Sequence, residues 1–159
     1  MSVAFTKEED SEAAAADLPD RPISPEPNFV TATGLASLDE QLEAAKAAYA
    51  AAQTGESVSS DRTAMARATR DLRYYGARRA SAQLVEPGET QDRAAFGSRV
   101  TIEREDGRVQ TFRIVGEDEA DPNQGSISYV SPLARAVVGR EVGDVFLLAG
   151  AEVELVALG

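Results

Sequence analysis

From Leu35 onward the apolar positions recur at alternating spacings of three and four: Leu35, Leu38, Leu42, Ala45, Tyr49 and Ala52. This is a heptad seam, and it predicts a helix with one apolar stripe. The polar run QTGESVSS (53–60) interrupts it. A second helical pattern follows over about 61–83, with Met65, Ala68, Leu72, Tyr75 and Ala82 on one stripe. Two helices of similar length joined by a short loop predict an antiparallel hairpin, whose seam alanines allow close approach of the arms. Glu86-Pro87-Gly88 then breaks the helix. Beyond Phe96 the period becomes two. Val100 and Ile102 alternate with polar residues, Asp106-Gly107 marks a tight turn, and 110–116 returns with Phe112 and Ile114 on one face. An acidic loop, GEDEADPNQG (116–125), leads to a strand over 127–130. Ser131 then suits an N-cap, Pro132 the first helical position, and Gly139 the left-handed stop of a two-turn helix. Strands over 145–148 and 153–158 complete the pattern. The expectation is an α+β chain: a coiled-coil helical hairpin over 28–86, a linker over 87–95, and a small antiparallel sheet domain with one short helix over 96–159.

Charge sharpens this division. The chain has 159 residues and a net charge of −11. Residues 1–40 carry −7, residues 41–85 carry +3, and residues 86–159 carry −7. An acidic total argues against broad, sequence-blind DNA binding, which runs on phosphate neutralisation. Residues 1–27 are acidic, hold Pro19, Pro22, Pro25 and Pro27, and have few large apolar groups. Such a segment is expected to be a disordered tail. The basic middle is an arginine set on the second helix. At 100° per residue Arg62, Arg67, Arg70, Arg73 and Arg78 are placed on the half away from the stripe. Arg79 falls inside the stripe, where Asp39 and Glu43 of the other arm should lie. The face is either solvated or a partner for carboxylate and phosphate, the geometry arginine favours.

Absent residues exclude several chemistries. With no cysteine and no histidine there are no thiol nucleophiles, disulfides, Cys/His zinc sites or histidine-based triads. No run approaches the roughly 20 apolar residues of a membrane span. The start of the chain lacks the basic-then-apolar layout of a signal peptide. The expectation is therefore a cytoplasmic location and no membrane contact. The acidic loop 117–121 lacks the ligand spacing of a calcium loop and reads as a solvated connection.

The stretches FGSRVTIEREDGRVQTFRIVGEDEAD, ISYVSPLARAVVG and VGD, in that order, resemble the C-terminal part of the GreA/GreB family of bacterial transcript-cleavage factors, which bind RNA polymerase. FVTATGLASL (29–38) and RDLRYYGARRASAQLVE (70–86) are similar to the two bases of that family's hairpin. The resemblance implies an FKBP-like C-terminal domain that docks on the rim of the polymerase secondary channel, with Ser131, Pro132 and Arg135 in the docking corner. It also implies a hairpin inside the channel, with Arg67, Arg70 and Arg73 facing polymerase acids and, indirectly, nascent RNA or DNA. A monomer is expected.

The tip departs from the family. Members that stimulate cleavage carry paired tip acids, which hold a second magnesium ion through hard oxygen ligands. Here Glu56 takes the first acidic position, Ser59 the second, and Asp61 lies five positions beyond Glu56. Each arm is also shorter than the family's by roughly five to nine residues, so the tip stops on the order of 10 Å short. The resemblance thus implies a polymerase-binding elongation regulator with no catalytic residues, metal or cofactor of its own. Any magnesium would be shared with the polymerase through Glu56 and Asp61. The alternatives are a cleavage factor with a repurposed Glu56/Asp61 tip, a Rnk-like regulator of nucleoside diphosphate kinase, and an FKBP-type prolyl isomerase. The last needs a deep aromatic pocket, and the C-terminal part offers Phe96, Phe112, Tyr129 and Phe146.

Overall fold

Two long helices carry the heptad seam: α1 (Ala32–Gln53) and α2 (Val58–Ser81). They belong to a computed structural model that describes residues 18–54, 58–88 and 92–159, with the backbone alone for 58–61. The seam behaves as its spacing predicts. Leu38, Ala45, Ala52 and Ala68 are buried, and Leu42, Tyr49, Met65, Leu72 and Tyr75 are half-buried. Arg79 forms its expected ion pair with Asp39, whereas Glu43 pairs within α1 with Lys46 at 2.9 Å. At 22 and 24 residues, the helices are about 33 and 36 Å long.

The second helix starts three residues before the expected position, inside the polar run, because small polar residues suit a first turn as well as a loop. It ends at Ser81, because Gln83–Leu84 (β2) leaves to pair in parallel with Phe29–Val30 (β1).

The chain divides into two compact units: one combines 18–25 with Ser37–Ser81, and the other combines Glu26–Ala36 with Ala82–Gly159. Two expectations fail in the first unit. Arg78 is not on an open face; it is 2% exposed. It stands about 80° from Ala68 around the helix, at the flank of the seam. Nor is the whole of 1–27 a free tail. Asp20 and Arg21 contact α2, while 1–17 fall outside the described residues. Bulk composition misses this because prolines already restrict the unfolded chain, so ordering it costs less.

In the second unit, five strands follow: β3 (Arg99–Arg104), β4 (Val109–Val115), β5 (Ser126–Ser128), β6 (Val145–Leu148) and β7 (Ala151–Leu158). Their order is β5-β4-β3-β7-β6. The β3–β4, β3–β7 and β6–β7 pairs are antiparallel, but β5 joins β4 in parallel, so the sheet is mixed. The hairpin turn is where the sequence places it. Gly107 has φ 84°, and Asp106 accepts from the Arg108 backbone N–H at 3.0 Å. That bond, reinforced by the Arg108 side chain, lowers the Asp106 pKa.

One face of the sheet buries Val100, Ile102, Ile114, Phe146, Val153 and Leu155 against Leu133, Ala134 and Val137 of the short helix α3 (Pro132–Val137). A fully buried side chain of this kind is worth about 1.5–3 kcal/mol. Ala94 belongs to this core, donating to Arg140 O at 2.8 Å and accepting from Gly139 N at 2.7 Å. The folded domain therefore begins inside the segment expected to be linker.

Candidate functional site

The corner at Ser131 is built as its residues dictate. β5 ends at Ser128, two residues before the expected Val130, so Tyr129 and Val130 form the turn. Ser131 is extended (φ −63°, ψ 154°), and its hydroxyl accepts from Ala134 N at 3.3 Å. Pro132 opens the helix, where a missing N–H costs nothing. Leu133 and Ala134 point into the core, which leaves Pro132 and Arg135 exposed. Arg135 is held at both ends of its guanidinium. Its Nε donates to Val130 O at 2.8 Å and its Nη2 to Glu26 Oε1 at 3.0 Å. The corner thus presents a rigid proline and a fixed cation side by side. Exposed Val138 and Val142 extend an apolar margin on its C-terminal side in sequence.

A second feature was not legible as such. Glu119, in the acidic loop, is no solvated bystander. Its Oε2 accepts from Thr31 N at 3.1 Å and Gly116 N at 3.3 Å, and its Oε1 accepts from Thr31 Oγ1 at 2.5 Å. Thr31 in turn N-caps α1, accepting from Gly34 N at 3.0 Å. A carboxylate at a helix N-terminus also opposes the positive end of the helix dipole. A Cβ at Gly34 would overlap the Glu119 carboxylate where it now lies, so glycine lets that carboxylate approach the first turn of α1.

The arginine face divides into unlike positions. Arg67 is exposed, and neither it nor Arg62 has an ion pair among the described residues. Arg73 pairs with Asp20 at 3.1 Å, and Arg70 Nε lies 3.9 Å from Asp71. A groove of about 870 Å³ runs beside them, lined by Leu18, Asp20, Met65, Arg62, Arg70 and Arg73. Arg21 stacks 3.8 Å from the Tyr74 ring centre, and its bond to Tyr75 raises its pKa. Asp20 and Arg21 were missed because their partners lie some fifty positions away in sequence.

Of the remaining site residues, Glu56 lies outside the described residues, as do the side chains of Ser59 and Asp61. Among the described residues no group of three or more Asp or Glu could hold a metal ion. No described helix is long and apolar enough to cross a membrane. The C-terminal aromatics serve packing. Phe146 is in the core, Phe112 packs against it, and Phe29, Phe96 and Tyr129 form a cluster with ring centres 5.4–6.2 Å apart.

Comparison with known proteins falls on the sheet unit. Residues 89–154 match the family described as "Transcription elongation factor, GreA/GreB, C-term". The chain is 48% identical over 66 residues to a transcription elongation factor GreA of Verminephrobacter eiseniae, covering 40% of this chain and 42% of that protein. It is 42% identical over 81 residues to a GreB of Neisseria meningitidis, covering 50% of each. The chain spans about half the length of the curated relatives it matches. The solved structure of GreA factor homolog 1 (Gfh1) from Thermus thermophilus aligns over 84% of this chain and 99% of its own, at 22% identity and a TM-score of 0.39. Over residues 89–154, then, this chain is similar to the C-terminal domain of the GreA/GreB transcription elongation factors.

Proposed function

We propose that this protein is a non-enzymatic regulator of transcription elongation that binds RNA polymerase as a cytoplasmic monomer. The observation that carries this is the Ser131–Arg135 corner, which sits within the family-matched domain and turns Pro132 and Arg135 outward from a fully packed core. A rigid apolar residue beside an oriented arginine is the composition of an interface anchor. The hairpin's Arg67, Arg70 and Arg73 add a basic surface for polymerase acids in the secondary channel, and for nascent RNA or DNA held there. Changing Pro132 to Lys and Arg135 to Glu leaves the Ser131 cap in place. In a titration of core polymerase the double variant should bind at least tenfold more weakly than wild type, about 1.4 kcal/mol. Unchanged affinity with native circular dichroism overturns the docking assignment.

The same reading assigns no stimulation of transcript cleavage. Two independent features of the sequence support it. Charge is one: Glu56 is followed by Ser59 where a second carboxylate is needed, and a neutral hydroxyl is a poor magnesium ligand. Reach is the other: arms of 22 and 24 residues extend only about 33 and 36 Å. A magnesium ion bound at the polymerase would supply Lewis-acid chemistry there. The sequence offers Glu56 as the carboxylate that would approach it, with Asp61 as a second candidate.

A further inference from the structure

We propose that the outer face of the sheet carries a binding site for a small phosphorylated ligand, held between Arg99 and Arg113. Strand register brings the two together. Arg99 of β3 stands directly opposite Arg113 of β4, and Arg113 is opposite Ser126 of β5. Side chains so paired have Cβ atoms about 4.5–5.5 Å apart. Their neighbours along the strands, Val100, Ile114 and Ile127, turn inward to the core that α3 covers. Side chains alternate along a strand, so Arg99, Arg113 and Ser126 share the opposite face. The site therefore lies across the sheet from α3, and it does not depend on the polymerase reading of the Ser131 corner.

Like charges directly opposite one another destabilise a sheet, and here nothing nearby offsets them. Both arginines are exposed, and neither has an ion pair or a side-chain hydrogen bond among the described residues. The carboxylate that β3 itself offers on this face, Glu103, is four residues along the strand, about 13 Å away. Asp121, in the turn before β5, has its carboxylate on Asn123 N at 3.1 Å. Within a C-terminal part that carries −7, the pair makes a local positive spot.

The two arginines border a depression of about 330 Å³, with Thr111, Gln124, Gly125 and Ser126 as its other walls. That is the low end of the size range for small-molecule sites, enough for a phosphoryl group with a small substituent. Further donors stand beside the guanidinium groups. Thr111 Oγ1 and Thr101 Oγ1 lie 2.9 Å apart and share one hydrogen bond, so one of their two protons is left to donate. The Gln124 amide adds two more. A carboxylate has two oxygens and is satisfied by a single arginine fork. A tetrahedral phosphoryl group has more acceptors and suits two forks with a hydroxyl between them. Nucleic acid is disfavoured, because no aromatic ring lines the depression for a base to stack on.

The test titrates inorganic phosphate into the isotope-labelled full chain, at an ionic strength held constant with sodium chloride, and follows the Thr111 and Gly125 amide resonances. Wild type should show saturable shifts at both. Arg113→Gln should weaken binding about tenfold through loss of a charged donor, and Arg99→Gln/Arg113→Gln should abolish saturation. Arg113→Lys keeps the charge and loses the fork, so it should also weaken binding, severalfold. Circular dichroism checks that each variant is folded. Arg108→Gln, at an exposed arginine paired with Asp106, should bind phosphate as wild type does. Ribose 5-phosphate separates the two sources of the group: affinity equal to that of phosphate assigns the free anion, and tighter binding assigns a phosphorylated metabolite. Shifts that never saturate, or that are the same in wild type and the double variant, overturn the proposal. So does acetate bound as tightly as phosphate, or a single-stranded oligouridine bound more tightly than either phosphate ligand.

Discussion

Replacing Glu119 by alanine removes one carboxylate and strips three donors at once: Thr31 N, Thr31 Oγ1 and Gly116 N. The Thr31 hydroxyl can turn to water, and the loop is half-buried, so part of the loss is recovered by solvation. Hydrogen bonds to a charged group contribute about 1.5–3 kcal/mol each when buried, and a half-open site lowers the total to about 2 kcal/mol for the cluster. With a urea slope of about 2 kcal/mol/M, the unfolding midpoint should fall by about 1 M. Glu119→Gln keeps an acceptor but loses the charge that opposes the helix dipole, so it should lose about half as much. The assay is urea unfolding followed by far-ultraviolet circular dichroism, with Thr31→Val completing a double-mutant cycle. The coupling between the two positions should exceed about 0.5 kcal/mol. A midpoint shift for Glu119→Ala equivalent to less than about 0.5 kcal/mol, or additive single mutants, would refute the claim that this carboxylate fixes the start of α1.

Ala149 holds a left-handed conformation (φ 50°) beside Gly150 (φ 81°) in the β6–β7 turn, which favours glycine or asparagine. Ala149→Gly should raise stability by about 0.5–1 kcal/mol in the same urea assay, and a loss would contradict the turn geometry. Asp106 has its pKa lowered by the Arg108 backbone bond and then by the Arg108 side chain, so its contribution is present above the unfolded carboxylate range and disappears as pH falls through the lowered value. The melting-temperature difference between wild type and Asp106→Asn should therefore be constant near neutral pH and shrink below about pH 4, whereas a difference independent of pH would show that the bond is not ionic.

What could be read from the sequence was what is encoded locally. The seam of α1 and α2 follows from spacing alone, and the Ser131 cap from a hydroxyl three residues before its donor. The Asp106-Gly107 turn is likewise complete within a few residues. Long-range partners were invisible. Thr31 and Glu119 are 88 positions apart, Arg135 and Glu26 are 109, and Arg73 and Asp20 are 53. No period or cap signal marks such pairs, so Glu119 read as solvated and 18–25 as part of a free tail. Arg78 shows the same limit on a helix, because an angular position near the seam does not say whether a long side chain folds inward. The parallel β5 was missed because turn signals announce hairpins, while a strand returning from a loop carries no signal of its direction.

Binding without cleavage is tested most directly on a stalled elongation complex with backtracked RNA. The purified chain is added to that complex at ordinary magnesium; retention on the polymerase and RNA shortening are measured in the same sample. The protein should stay bound, and the RNA should shorten no faster than in its absence. Failure to bind would contradict the polymerase assignment, and rapid shortening that disappears with Glu56→Ala would contradict the reading of the tip.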